Sequence, residues 1–276
     1  MTHVDQVREP AVAGRFYPAD RDALAEQVAG FLGERPGGRA TAEPPRPALG
    51  VMAPHAGYVY SGAVAGATYA RVDVPARAIV LCPNHTGEGR PSSLWPGGAW
   101  RTPLGLVGVD GGMVADLLAR ARVTPDRVAH LHEHSLEVQL PFLQLRRPEI
   151  AVAALCLGGL SWPECRELGE AVAEVARRHG ALVVASSDMS HYVAARTARA
   201  KDHRALERML ALDPEGLHAV VRAEGITMCG YVPATVMLVA ALAAGAREAE
   251  LVRYATSGDV TGDDSSVVGY AGVVVS

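Results

Sequence analysis

Lysine is almost absent from this chain: 25 of its 26 basic residues are arginines, and the remaining one is Lys201. Lys201 lies in an arginine- and alanine-rich helical pattern, far from any glycine-rich turn. A phosphate-cradling lysine, a Schiff-base lysine and a Ser-Lys dyad therefore lose their best candidate. A charge excess is missing too, since 26 basic against 30 acidic residues leave a formal net charge of −4. With the arginines scattered, there is no electrostatic footprint for nucleic acid or an anionic membrane, and neither partner is expected. Cysteine is sparse. Cys82, Cys156, Cys165 and Cys229 form no CxxC pair, which speaks against a disulfide framework and for a reducing, cytoplasmic setting. Long apolar runs are lacking as well: the longest, Val232 to Ala244, falls short of the ~20 residues a membrane span needs. The N-terminal MTHVDQVREPAVAGRFYP has no apolar core of signal-peptide length.

What is present is 276 residues, 49% of them hydrophobic, enough to bury a substantial core without staples. No internal repeat or separating linker is visible, so residues 1–276 read as one domain. Short β-branched runs at Leu49 to Ala53, Ile79 to Cys82, Ile150 to Cys156 and Leu182 to Ser186 alternate with helical patterns. The latter are clearest at Ala19 to Glu34, Gly112 to Arg122, Glu133 to Leu145, Glu164 to Arg178, Ala194 to Leu212 and Pro233 to Ala244. That alternation predicts an α/β fold with helices on both faces of a mostly parallel sheet. Further strands at Leu94 to Trp100, Gly105 to Val109 and Val267 to Val275 are expected as antiparallel additions. The Arg/Pro/Gly cluster between Glu34 and Pro47 reads as a loop.

The chemistry gathers at strand ends. GVMAPHAGYVYSG places His55 just past the first strand, IVLCPNHTG places His85 past the second, and VVASSDMSHY places Asp188 and His191 past a third. Ligands of open α/β sheets bind beyond the carboxyl ends of the strands, so these groups are expected to share one site. TMCGYVPATVML sets Cys229 at the start of a helix, where backbone N–H groups are expected to lower its pKa; a plain apolar filler is the alternative. HLHEHSLEVQLPFLQ carries His130, His132 and His134, of which His134 is taken as a site residue together with Glu133 and Glu137. Those two glutamates are four apart and are expected on one side of a helix that Pro141 interrupts.

Two imidazoles and one anion commonly hold a catalytic transition metal. With Asp188 as the anion the set matches the two-histidine, one-carboxylate triad of non-haem iron; with Cys229, copper or zinc is also admitted. Asp259, Asp263 and Asp264 lack EF-hand spacing and read as an acidic turn. Ser187 or Ser190 beside His191 lacks a G-x-S-x-G elbow.

The motifs REPAVAGRFYP, APHAGYVYSG, PNHTG, W-x-TPLG from Trp100, EHSLEVQLPFLQ, SSDMSHY, MCGY and YATSGDV followed by VGYA run in order from Arg8 to Gly272. In them the chain resembles the Memo-like family, whose prokaryotic members are called AmmeMemoRadiSam system protein B. The resemblance implies a three-layer αβα sandwich similar to class III extradiol dioxygenases. It also implies His55, His85 and Cys229 as ligands of one iron or copper ion, zinc being possible, with Asp188 and His191 lining the same pocket. The dioxygenases carry a carboxylate as third ligand, so the cysteine departs from ring-cleavage chemistry. A radical SAM protein and an AMMECR-type protein are the partners the family name implies.

Three functions follow as expectations. The first is a metal-binding protein of oxidoreductase type, acting on O₂ or a small organic molecule, with Asp188, His191 and His134 as proton carriers. The second is a binding module that recognises a peptide or partner protein through the same pocket without turnover. The third is a metal-dependent hydrolase using Glu133 or Asp188 as base.

Overall fold

The computed structural model describes residues 7–33 and 44–276; most of the loop expected from Glu34 to Pro47 lies outside the described residues. In chain order it runs β1 (Val7–Arg8), α1 (Arg21–Leu32), β2 (Gly50–Ala53), α2 (Tyr58–Ala70), β3 (Arg77–Pro83), β4 (Ser92–Leu94), β5 (Ala99–Thr102), β6 (Gly105–Val109) and α3 (Gly111–Arg120). There follow β7 (Thr124–Pro125), α4 (Val128–Leu131), a 3₁₀ turn (Glu137–Gln139), α5 (Leu140–Arg146), β8 (Ala151–Leu157), α6 (Trp162–His179) and β9 (Ala181–Ser186). The remainder is β10 (His191–Val193), α7 (Ala195–Leu210), α8 (Pro214–Ala223), α9 (Tyr231–Ala243), β11 (Ala249–Thr256), α10 (Gly258–Thr261) and β12 (Val267–Val275).

The centre of the sheet is the parallel run β6-β8-β3-β9-β2. Antiparallel strands flank it, β5 against β6 on one side and β12 against β2 on the other, with β10 and β11 on β12. Central strands are apolar throughout because both faces are covered. Ile79 and Leu81 pack on one side with α3, α6, α8 and α9, while Ala78, Val80 and Cys82 pack on the other with α1, α2 and α5. The fold is thus the three-layer α/β sandwich read from the sequence. Side-chain caps set several helix starts: Asp20 accepts from Asp22 N and Ala23 N ahead of α1, Asp110 caps α3, Asp213 caps α8, and Ser161 with Glu164 forms a capping box at α6.

Several expected elements change. The strand read from Leu94 to Trp100 is two strands, β4 and β5, because Gly97 and Gly98 turn the chain at φ 151° and 93°. The helix read from Glu133 to Leu145 is a loop, a 3₁₀ turn and α5; Pro141 sits in the first turn of α5, where its missing N–H costs nothing, so it starts the helix instead of interrupting it. Helices α2 and α8 and strand β11 are additional. No helix among the described residues is long and apolar enough to cross a membrane.

Candidate functional site

Strands β3, β9 and β2 are consecutive in the sheet, so the turns after them open onto the same edge. Pro54 and His55 follow β2, Asn84 and His85 follow β3, and Ser187 and Asp188 follow β9. The fourth contribution comes from the segment before α9, where Cys229 lies two residues ahead of the helix. His55 Nε2 is 3.3 Å from Cys229 Sγ, and the His55 and His85 rings stand 5.2 Å apart, edge to face. Potential ligand atoms of His55, His85 and Cys229 all lie within 4.8 Å of one another.

The backbone around these groups is held by side chains. Asp188 Oδ1 accepts from the backbone N–H of His55 at 2.7 Å and of Ala56 at 3.3 Å. Burial raises its pKa to about 6 against these donations and the charges of His191 and His85. Glu133 accepts from His85 N at 2.6 Å and faces His85 Nδ1 at 2.9 Å. Burial alone would raise the Glu133 carboxyl, yet the hydrogen bond and charge of His85 and two donations from Ser135 outweigh it and set it at about 2. Burial likewise opposes protonation of His85, but Glu133 and Asp188 overcome it and raise the imidazole above its ordinary value. His55, 2% exposed, is held neutral by burial and by the neighbouring rings of His134 and His85.

Cys229 departs from expectation. It stands at the helix start as read, but burial, with the charge of Asp188, pushes its thiol up instead of down. The helix terminus is a fraction of a charge and cannot offset removal from water; only a cation between Cys229 and the histidines would make the thiolate the favoured form.

His134 also reaches this edge. Its ring stacks on that of His85 at 4.9 Å and meets Phe16 edge-on at 4.8 Å. A second possible donor set, His85, Glu133 and His134, is less suited to an ion. Glu133 Oε1 already faces His85 Nδ1 and accepts from Ser135 N and Ser135 Oγ, while Oε2 takes His85 N. His191 Nδ1 lies 2.8 Å from the carbonyl of Thr227, which can only accept, so in the neutral ring the proton sits on Nδ1.

The other members of the histidine-rich run go elsewhere. His130 is buried between Trp95 and Trp100, 5.8 Å from each, and burial keeps it neutral. His132 is exposed. Glu137, expected beside Glu133, is turned away: its buried carboxylate accepts from Arg8, Tyr17, Ala11 N and Val12 N. The cause is the loop and 3₁₀ turn, which replace the helix that would have put the two carboxylates on one side.

Above the cluster lies a cavity of about 770 Å³ bounded by His55, His85, His134, Asp188 and His191, with Phe16, Tyr60, Tyr192 and Tyr270 among its walls. The aromatic walls, together with Ser135, Gln139, Ser186 and Thr227 behind the histidines, went unnoticed in the sequence. Gln139 and Ser186 sit inside quoted motifs, but their role depends on which atoms face them after folding. Ser187 donates to the Asp188 carbonyl and accepts from Gly230 N, so it is not poised as a nucleophile.

The family model for Memo-like proteins matches residues 8–274. The chain belongs to the Memo-like family. Its relatives include a MEMO1 family protein of Aquifex aeolicus, 43% identical over 98% of this chain and 99% of its own length. Another is a MEMO1 family protein of Methanopyrus kandleri, 43% identical over 97% and 98%. Among solved structures, an uncharacterized protein of Escherichia coli K12 superposes on this Memo-like chain with a TM-score of 0.57 at 15% identity. It covers 82% of this chain and 98% of its own, a likeness of fold.

Proposed function

We propose that this Memo-like protein holds one iron or copper ion on His55, His85 and Cys229 and is of oxidoreductase type. The observation that carries the proposal is the convergence of two imidazoles and a thiol, from three separate stretches of chain, to within 4.8 Å, with both imidazoles lining a cavity. The donor chemistry fits. Two neutral nitrogen ligands and one sulfur would suit iron, copper or zinc. A bound iron or copper ion would supply one-electron chemistry and a position for O₂ or an organic molecule.

The chain's own residues would then manage protons and water. His191, fixed by Thr227, takes or returns a proton at the cavity wall. Asp188, near pKa 6, can exchange a proton at ordinary pH while its Oδ1 keeps the His55 turn in place. His134, stacked on His85, is the third proton carrier, and Phe16 shields that side from water. We further assign the protein to the cytoplasm, where a radical SAM protein and an AMMECR-type protein are the partners to test by co-purification. Elemental analysis of untagged protein purified anaerobically tests the centre. About one iron or copper per chain is expected in the wild type and almost none in Cys229→Ala or His85→Ala; no transition metal in any of them overturns it.

A second reading keeps the cavity and omits turnover: a module that binds a peptide or partner protein. Exposed Val59, Tyr60 and Tyr192 at the cavity mouth favour it. Oxygen uptake with reduced donors separates the two. Uptake abolished by His55→Ala supports the oxidoreductase, whereas ligand binding indifferent to metal, without uptake, supports the module.

A further inference from the structure

Resting on the metal reading but reaching behind it, we infer that Ser186 and Ser135 are positioning residues that set both metal-facing imidazoles through one hydrogen-bonded chain. Gln139 Nε2 lies 3.0 Å from the carbonyl of Pro54, 3.3 Å from that of Ala53 and 2.8 Å from Ser186 Oγ. Two carbonyls can only be matched by the amide nitrogen, and the amide oxygen on the other side takes the hydroxyl of Tyr69 at 3.0 Å. The Gln139 amide is therefore oriented, and toward Ser186 it presents N–H.

Ser186 has a single hydroxyl proton, and its Oγ is 2.7 Å from the carbonyl of Ser135. At that separation two oxygens without a proton between them repel, so the hydroxyl donates to Ser135. What is left on Ser186 Oγ accepts, from Gln139 and from His55 Nδ1 at 2.8 Å. His55 is thus the Nδ1–H tautomer, and its Nε2 lone pair faces Cys229 Sγ. Ser135 carries the chain onward: its N–H and hydroxyl donate to Glu133 Oε1 at 2.9 and 2.6 Å. The same Oε1 accepts from His85 Nδ1 at 2.9 Å, leaving Nε2 as the lone-pair nitrogen of the neutral His85 ring. One serine pair joins the two ligands, and loosening either end weakens the orientation of both.

Long-range ¹H–¹⁵N correlation spectra of the metal-free, full-length protein read the tautomers directly. Wild-type His55 is expected with a protonated Nδ1 and a bare Nε2; the opposite assignment overturns the inference without any variant. In Ser186→Ala an Nε2-protonated population of His55 should appear and cobalt(II) affinity should fall about tenfold to a hundredfold, while Ser186→Thr, which keeps the hydroxyl, restores both to within twofold. Ser135→Ala should lower affinity less than Ser186→Ala, and the double variant should lose less than the product of the single losses. A folded Ser186→Ala with unchanged tautomer and affinity within twofold, or a strictly multiplicative double variant, overturns the chain. Failure of the wild type to bind cobalt(II), iron or copper removes the metal reading alone, because the tautomer of metal-free His55 is still measured.

Discussion

Cys229 and Glu133 mark the two electrostatic extremes of the site, and each carries a pH dependence of its own. The Cys229 thiol is pushed up by burial and by Asp188, so binding a cation there must release its proton. Affinity for a divalent metal should therefore rise with pH by up to about tenfold per unit, and Cys229→Ser should flatten the slope above the titration of His85; titrations in buffers from pH 6 to 8 read it. Glu133 is lowered to about 2 from an ordinary 4.5. Its depressed value means that its contribution is complete above pH 4.5 and is lost as pH falls through about 2. Denaturant unfolding of wild type against Glu133→Gln should show a gap of about 2–3 kcal/mol at neutral pH that closes toward pH 2. Asp188 has the opposite sign: its value is raised to about 6, so the folded state holds its proton more tightly and ionisation costs stability as pH climbs from 4 to 6. Asp188→Asn should make the metal-free protein more stable above pH 6 by about 1–3 kcal/mol, with no gain below pH 4. His55, His85, Asp188, His191 and Cys229 were legible in the sequence because each stands beside a strand or helix end. The direction of the Cys229 shift was not, since it depends on burial that no spacing encodes.

Helix α2 shows why an element can escape a reading by periodicity. Its sequence, YVYSGAVAGATYA, has no polar face to contrast with an apolar one because it is packed on both sides, between the sheet and α1. The two glycines inside it are required by contact: a Cβ on Gly62 or Gly66 would lie 2.3 or 2.4 Å from Phe31. Gly66→Ala should cost about 1–3 kcal/mol through overpacking, despite the better helix propensity of alanine, and a thermal melt against wild type reads the sign. α2 begins three residues after His55, so its packing also bears on the turn that carries that residue. The helix expected from Glu133 failed for the converse reason. Its spacing is helical, but Glu133 satisfies the backbone N–H of His85 and Glu137 those of Ala11 and Val12, all on other segments, and these contacts outcompete helix hydrogen bonds at a chain turn.

On the scale of the molecule, the sequence disclosed the layer order and the edge on which the candidate site residues meet, since alternating strands and helices admit few topologies. It did not disclose how the N-terminal segment closes that edge. Arg8 is buried, ion-paired with Glu137, bonded to the His130 carbonyl and laid over Trp100; this pins the segment that brings Phe16 to His134. Arg8→Ala would leave the Glu137 charge buried without its partner and should cost about 3–5 kcal/mol, visible as a lower denaturant midpoint. The packing around Arg8 also makes the chain its own optical probe. Of the three tryptophans, Trp95 and Trp100 are buried 5.5 Å apart, each against the His130 ring, whereas Trp162 is half-buried at the start of α6. Emission from the first two is expected at short wavelength. Release of the N-terminal segment alone would then move the spectrum to the red before helix content falls, separating an opening at the mouth of the site from unfolding of the sheet beneath it.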